Sequence, residues 1–237
     1  MASALVLVDY ANLQQRHKDA GMLDLVTKVL AGISWDPGTL RGTCEVRFYG
    51  GWYEEDQLTR QAQDVVVEIQ RDFPAVIRVP AQNGTIAFNT TADLARSLLQ
   101  DPGNHLFRTY RRKERATNVR VESPGVVGCT HDDCVLPKVK HMLKKGSCPR
   151  SGCSVQRSDL IYRHEQKIVD TMLTCDMVHA SNRDFDRLVL VSDDDDFIPP
   201  LRTILLNGRS AVRCNPKPDH QRGLQSVGSV QLVEITV

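Results

Sequence analysis

The sequence predicts an α/β domain on a mostly parallel sheet with helices on both faces, and three observations support that. Short apolar runs suited to buried strands recur at Ala4–Val8, Cys44–Tyr49, Ala75–Val79 and Leu188–Val191. Segments with helical period alternate with them, the rhythm of strand–helix–strand units. The chain has 237 residues, enough for one substantial core and a small appended module.

In chain order, Ala4–Val8 is the first strand and ends in Asp9. Leu23–Ala31 carries Leu23, Val26, Val29 and Leu30 at helical spacing. Trp35–Gly42, with Asp36-Pro37-Gly38, is a loop before the strand Cys44–Tyr49. Gln57–Phe73 is the strongest helix, with Leu58, Ala62, Val65, Ile69 and Phe73 recurring every three or four positions. Ala75–Val79 is the third strand. Asn83–Phe88 is ambiguous, and Thr91–Gln100 reads as a short helix opened by a threonine cap and stopped before Asp101-Pro102. Phe107–Glu122 shows partial strand alternation, as a ribbon or hairpin. Ser123–Ser158 contains little that builds a core, so about 83–160 reads as an insertion between 1–82 and 161–237. The sheet rhythm then resumes: helix Glu165–His179, strand Leu188–Val191, helix Phe197–Leu206 closed by Asn207-Gly208, strand Ser210–Arg213, and a last strand within Ser229–Val237. Pro199 and Pro200 fit the first helical turn, where backbone N–H groups have no partner inside the helix.

Charge is unevenly placed. Arg108–Arg150 holds eleven Lys or Arg against four acids, net +7, which leaves −6 for the remainder of a chain of net +1. An acidic body with a basic middle suits an enzyme that has to attract a polyanion to a carboxylate site. No stretch approaches the ~20 apolar residues that cross a membrane. The opening MASALVLVDY has no basic lead and reads as a core strand, not a signal peptide. Seven cysteines, an odd count with four in two tight pairs, favour a reducing compartment, and the expectation is cytoplasmic.

The run LVLVSDDDDFIPPLR (188–202) carries most of the functional signal. Crowded carboxylates repel one another, and a fold that keeps them together often has a cation to hold. Asp9 and Asp193–Asp196 both follow strands, whose ends face the ligand crevice in an open parallel sheet. Asp170 sits in the helix Glu165–His179, where helical phase places Lys167 and Asp170 on one side. Convergence of these acids would hold Mg²⁺ or Mn²⁺ for phosphodiester hydrolysis. The bland alternatives are a helix-capping Asp9 and a hydrated acidic loop. A dinucleotide oxidoreductase is disfavoured, because no glycine-rich fingerprint follows Val8.

These motifs resemble the NYN domain family of the PIN-like ribonuclease superfamily. LVLVDYANL (5–13) is similar to its opening motif, KIVDTMLTCDM (167–177) to its Lys-x-x-Asp helix, and LVSDDDDFIPPL to its Ser-Gly-Asp-x-Asp-Phe signature. The resemblance covers roughly 4–80 and 160–215. It implies a three-layer PIN-like (Rossmannoid) domain and metal-dependent RNA cleavage. Matched by position, it implies Asp9, Asp170, Asp194 and Asp196 as Mg²⁺ or Mn²⁺ ligands, Asn12 as an orienting residue and Lys167 as a charge partner. Asp176 also matches, but lies about 240° around the helix from Asp170 and ranks as packing, capping or outer shell. Asp193 stands where the family has glycine.

In the insertion, Cys129-x4-Cys134 and Cys148-x4-Cys153 are thirteen residues apart. This spacing suggests a four-cysteine Zn²⁺ knuckle replacing a core too small to form. Disulfides or free thiols are the rivals, and His131 or His141 could substitute as a ligand. Cys44, Cys175 and Cys214 read as buried thiols. Arg108, Arg111, Arg112, Lys113, Arg115 and Arg120, with Lys138, Lys140, Lys144 and Lys145, form a candidate phosphate-binding set, and Phe107 and Tyr110 are candidates for base stacking. An acidic partner protein is the alternative ligand for that set. The combined expectation is a divalent-metal-dependent ribonuclease, an endonuclease, with a zinc-stapled basic insertion. Its rivals are a catalytically inactive RNA-binding protein and a metal-dependent phosphatase or DNA nuclease.

Overall fold

The computed structural model describes residues 1–82, 84–113, 122, 125–128, 133–160, 163–217 and 227–237, with the backbone alone at 112, 113, 160, 163 and 164. The chain divides into two compact units, one of Met1–Tyr110 with Gln166–Val237 and the other of Arg111–Glu165.

The first unit begins with strand β1 (Ala2–Asp9), followed by helices α1 (Gln15–Ala20) and α2 (Met22–Gly32) and strand β2 (Arg41–Tyr49). The two-residue strands β3 (Tyr53–Glu54) and β4 (Gln57–Leu58) form a small antiparallel pair. Helix α3 (Arg60–Asp72) follows, then β5 (Ala75–Ala81) and β6 (Gly84–Leu94). Beyond the second unit come helix α6 (Val169–Ala180), strand β9 (Arg187–Val191), helix α7 (Ile198–Leu206), and strands β10 (Ala211–Asn215) and β11 (Leu232–Thr236).

Seven of these strands form one sheet in the order β11-β10-β9-β1-β2-β6-β5. Every neighbouring pair is parallel except β5 with β6, which turn back on each other. β1 alternates between two cores. Ala4, Val6 and Val8 pack with the apolar stripes of α2 and α3, whereas Leu5 and Leu7 pack with α6 and α7. That alternation is the strand period of two, and it places helices on both faces. Gly42 is required on β2, because a Cβ there would lie 2.9 Å from the Ala2 carbonyl and closer still to the Phe88 ring.

The strands expected at Ala4–Val8, Cys44–Tyr49, Ala75–Val79, Leu188–Val191, Ser210–Arg213 and within Ser229–Val237 are present, each within a few residues. Of the ribbon or hairpin expected over Phe107–Glu122, a strand is described at Tyr110–Lys113, and residues 114–121 lie outside the described residues. The strongest expected helix starts later, at Arg60, because Gln57–Leu58 pairs with β3 and Thr59 caps α3 by accepting from the Ala62 N–H at 3.2 Å. The short helix expected over Thr91–Gln100 is corrected. Gly84–Leu94 is one long strand inserted between β2 and β5, and the sheet's hydrogen bonds override a weak local helical preference. The same strand moves the start of the smaller unit from 83 to Arg111.

The second unit contains β7 (Tyr110–Lys113) from its second residue on, helix α4 (Leu136–Lys145), the short helix α5 (Arg157–Leu160), and most of β8 (Arg163–Gln166). Sequence reading missed α4. It ends at Gly146, whose φ of +81° is the left-handed cap conformation that glycine adopts freely. The loop 147–156 closes through Cys148 N–H to Val155 O at 3.0 Å, and the Arg157 guanidinium donates to Leu143 O at 2.7 Å.

Candidate functional site

In the sheet order the chain runs outward from β1 in both directions, through β2 on one side and β9 on the other. The crevice of such a sheet lies beyond the carboxyl ends of those strands. Asp9 ends β1 there, and Ser192–Asp196 leaves β9 beside it.

A connected hydrogen-bond network ties the two segments together. The Ser192 hydroxyl donates to Asp9 Oδ2 at 3.0 Å and accepts from Asp194 N–H at 3.1 Å. Asn12 N–H donates to Asp9 Oδ1 at 3.4 Å, and the Asn12 side-chain oxygen accepts from Asp193 N–H at 3.1 Å. Asp194 Oδ1 caps the following helical turn by accepting from Asp196 N–H at 2.9 Å. Lys217 pairs with Asp193 at 2.7 Å.

Arg213 on β10 supports this loop from beneath and is fully buried. Its Nε–H donates to Ser192 O at 3.2 Å and its Nη2–H to Asp194 O at 3.1 Å. Its Nη2 also lies 3.6 Å from Asp195 Oδ1, and its Nη1 faces Glu234 at 3.8 Å, an ion pair longer than a hydrogen bond. Arg213, Ser192 and Lys217 were absent from the sequence-derived set. The visible signal for Arg213 was a charge at a position that the sheet buries.

The electrostatics follow from burial. Asp9 is 5% exposed, and its carboxyl is pushed from 3.8 up to about 6, first by desolvation and then by the charges of Asp170 and Asp194. The bonds from Ser192 and Asn12 oppose that rise. Asp170, in the first turn of α6, is likewise raised, by desolvation and then by Asp194 and Asp196. Lys18, with its Nζ 4.7 Å over the Tyr10 ring, is lowered by desolvation while the charge of Asp9 works against that.

Asp9, Asp170, Asp194 and Asp196 thus share one electrostatic neighbourhood, yet they do not make a metal centre. Among the described residues, no group of three or more His, Cys, Asp or Glu side chains is arranged to hold a metal ion. Asp9 uses both carboxylate oxygens on Ser192 and Asn12, and Asp194 is turned onto its own loop. The expected Mg²⁺ or Mn²⁺ site is corrected on this ground. With it go the metal-dependent ribonuclease and the metal-dependent DNA nuclease or phosphatase.

The shared helical face expected for Lys167 and Asp170 is corrected too. Lys167 precedes α6, because its N–H donates to Thr109 O at 2.9 Å and the chain enters the helix through Ile168 at φ +59°. It therefore shares no helical face with Asp170. Asp176 is buried and structural. Its carboxylate accepts from Tyr49 Oη–H and Leu99 N–H, both at 2.7 Å, with Arg47 at 3.7 Å.

The Zn²⁺ knuckle is also corrected. Among the described residues, Cys134, Cys148 and Cys153 form no metal-holding group, Cys148 and Cys153 are free thiols, and Cys129 and His131 lie outside the described residues. Cys134 Sγ accepts from Leu136 N–H at 3.4 Å, at the start of α4, while Cys148 and Cys153 belong to the loop closed by backbone bonds. Of the expected core thiols, Cys44 and Cys214 are buried, burial pushing Cys44 up to about 12, whereas Cys175 is on the exposed side of α6.

In the basic set, Arg108 pairs with Glu55 at 2.7 Å. Lys138, Lys144 and Lys145 are exposed on α4, Lys140 is half-buried there, and Arg111 is exposed on β7. The side chains of Arg112 and Lys113 and all of Arg115 and Arg120 lie outside the described residues. Phe107 remains 46% exposed with its ring edge-on to Tyr53 at 4.9 Å.

No family model, curated protein or solved structure matches this chain. Among the described residues no helix is long and apolar enough to cross a membrane.

Proposed function

We propose that this chain is an RNA-binding protein without metal-dependent cleavage chemistry, whose basic unit contacts the phosphate backbone. One observation carries the proposal. Arg111–Glu165 contains twelve Lys or Arg against six Asp or Glu, net +6, which leaves −5 for the rest of the chain. Helix α4 concentrates that charge, with Lys138, Lys140, Lys144 and Lys145 in ten residues and no buried side chain. Lysines that the core does not use are suited to neutralising phosphates and releasing counterions.

The choice of RNA rests on the three motifs that resemble NYN domains. In this proposal the chain is a non-catalytic relative with a PIN-like fold. Its signature aspartates serve as a hydrogen-bonded staple between β1 and the loop after β9.

Anisotropy of labelled single-stranded and hairpin RNA tests it, with and without chelator. Binding is expected to be equal in both conditions, to leave the RNA intact and to weaken steeply with salt. Replacing Lys138, Lys140, Lys144 and Lys145 together by glutamine should flatten the logarithmic salt dependence on single strands by about 2.8, at about 0.7 per lost phosphate contact. Equal affinity for RNA in the quadruple variant, or no RNA binding by the wild type, would remove the proposal. Capture of an acidic protein in place of RNA would do the same.

A further inference from the structure

We infer that a second anion site lies at the opposite end of the sheet from Asp9, where Arg183, Arg187 and Arg209 surround a recess built to take a phosphate group. The recess has a volume of about 290 Å³ and lies where α6 and α7 end and β9 and β10 begin, within the α/β unit. Its lining is dominated by polar groups, with Phe185 and Leu188 as the large apolar residues.

Arginines near helix C-termini commonly neutralise the partial negative charge there. Here the closing carbonyls already have backbone donors. Met177 O accepts from Ser181 N–H at 3.0 Å and Ala180 O from Arg183 N–H at 2.9 Å. On α7, Thr203 O, Leu205 O and Ile204 O accept from Asn207, Gly208 and Arg209 N–H at 3.0, 3.0 and 3.1 Å. The guanidinium groups are therefore not needed as caps.

Nearby carboxylates do not consume them either. Asp186, which also lines the recess, accepts the Ser3 N–H and hydroxyl at its Oδ2, at 2.7 and 3.0 Å, and forms no ion pair with these arginines among the described residues. Asp184 is fully exposed and lies 3.9 Å from Arg209, beyond hydrogen-bond reach, and exposed Asp36 lies 3.6 Å from Arg187. Arg187 donates one N–H to Asp186 O at 2.9 Å. Arg183 has no hydrogen-bond acceptor for its guanidinium among the described residues and stacks 5.0 Å over Phe185. Stacking holds that planar group while its edge stays open to an acceptor.

Three forked donors around one polar recess match the oxygens of a phosphate. The volume is at the lower end of small-molecule sites, which suits a phosphate-bearing fragment better than a large cofactor. A free mononucleotide and an RNA phosphate offer the same chemistry. The site does not depend on the RNA-binding proposal, because inorganic phosphate alone is the primary probe.

The test compares the wild-type chain with Arg183→Gln/Arg209→Gln and Arg183→Lys/Arg209→Lys, by thermal shift and calorimetry. The ligands are inorganic phosphate, adenosine 5′-monophosphate and short RNA with and without a 5′-phosphate, each against chloride of equal ionic strength. Phosphate should raise the wild-type Tm, and the glutamine pair should bind it at least roughly tenfold more weakly. The lysine pair should recover part of that loss. A gain for the mononucleotide over phosphate assigns a free nucleotide, and a loss of RNA affinity in the glutamine pair assigns the RNA backbone. The site is refuted if no phosphate species raises the Tm above its chloride control, or if both variants bind phosphate as the wild type does.

Discussion

Replacing Asp9 by asparagine should stabilise the α/β unit at neutral pH and leave it nearly unchanged in acid. Asp9 is 5% exposed and its carboxyl is raised from 3.8 to about 6. The folded state thus holds the proton more tightly than the unfolded chain. Its contribution is most favourable below about pH 4, falls as pH rises toward 6, and stays low above that. At 1.36 kcal/mol for each pH unit, the penalty at neutral pH is about 3 kcal/mol. Asparagine carries no such penalty. Its Oδ1 still accepts from Asn12 N–H, and its Nδ2 can donate to the Ser192 hydroxyl, whose own proton then gives up Asp9 Oδ2 as acceptor, a cost that is the same at every pH. Urea unfolding followed by tryptophan fluorescence reports on this unit, because Trp35 and Trp52 are both buried in it. The stability gap should widen in favour of the variant by at most about 3 kcal/mol between about pH 4 and pH 7, rising most steeply near pH 5 and levelling off above about 6. A gap independent of pH, or a variant less stable than the wild type at neutral pH, would refute the reasoning.

Three further substitutions test the structural roles. Arg213→Met removes the donors to Ser192 O and Asp194 O from a fully buried position, together with the 3.8 Å ion pair to Glu234, so it should cost about 3–5 kcal/mol in urea unfolding. A cost under about 1 kcal/mol would mean that the loop does not depend on this residue. Asp176→Ala leaves the Tyr49 hydroxyl and Leu99 N–H without their acceptor and should cost about 3 kcal/mol or more, well above Tyr49→Phe, by the same measurement. Thr59→Ala removes the N-cap of α3 and should lower stability by about 1 kcal/mol, with the midpoint shifted and the slope unchanged.

Much of the fold was legible in the sequence because its strands are buried runs. Leu5–Val8 and Leu188–Val191 have no polar residue to suggest another structure, and the alternating cores follow from the strand period. Gly84–Leu94 was misread because its Asn-Thr-Thr-Ala-Asp stretch carries a cap signal and little hydrophobic period, while its strand state comes from pairing with β2 and β5. Helix α4 was missed because it buries no side chain, so it has little of the apolar stripe by which helices are recognised. In the candidate site, the proximity of Asp9 to Asp194 could be anticipated from two strand ends. The use made of their oxygens could not.

The sequence by itself determined an α/β body, the position of its acids at strand ends and the concentration of positive charge in the middle of the chain. These follow from periodicity and composition, which are local properties. Only the tertiary structure decided what the acids do, because side-chain hydrogen bonds depend on neighbours 183 residues away, as in the bond from Ser192 to Asp9. Spacing can bring carboxylates to one crevice, but here Ser192 and Asn12 take up the two oxygens of Asp9, and Asp194 caps its own loop. The three arginines around the second recess lie on a loop, a strand start and a helix exit, and only the folding of the sheet gathers them.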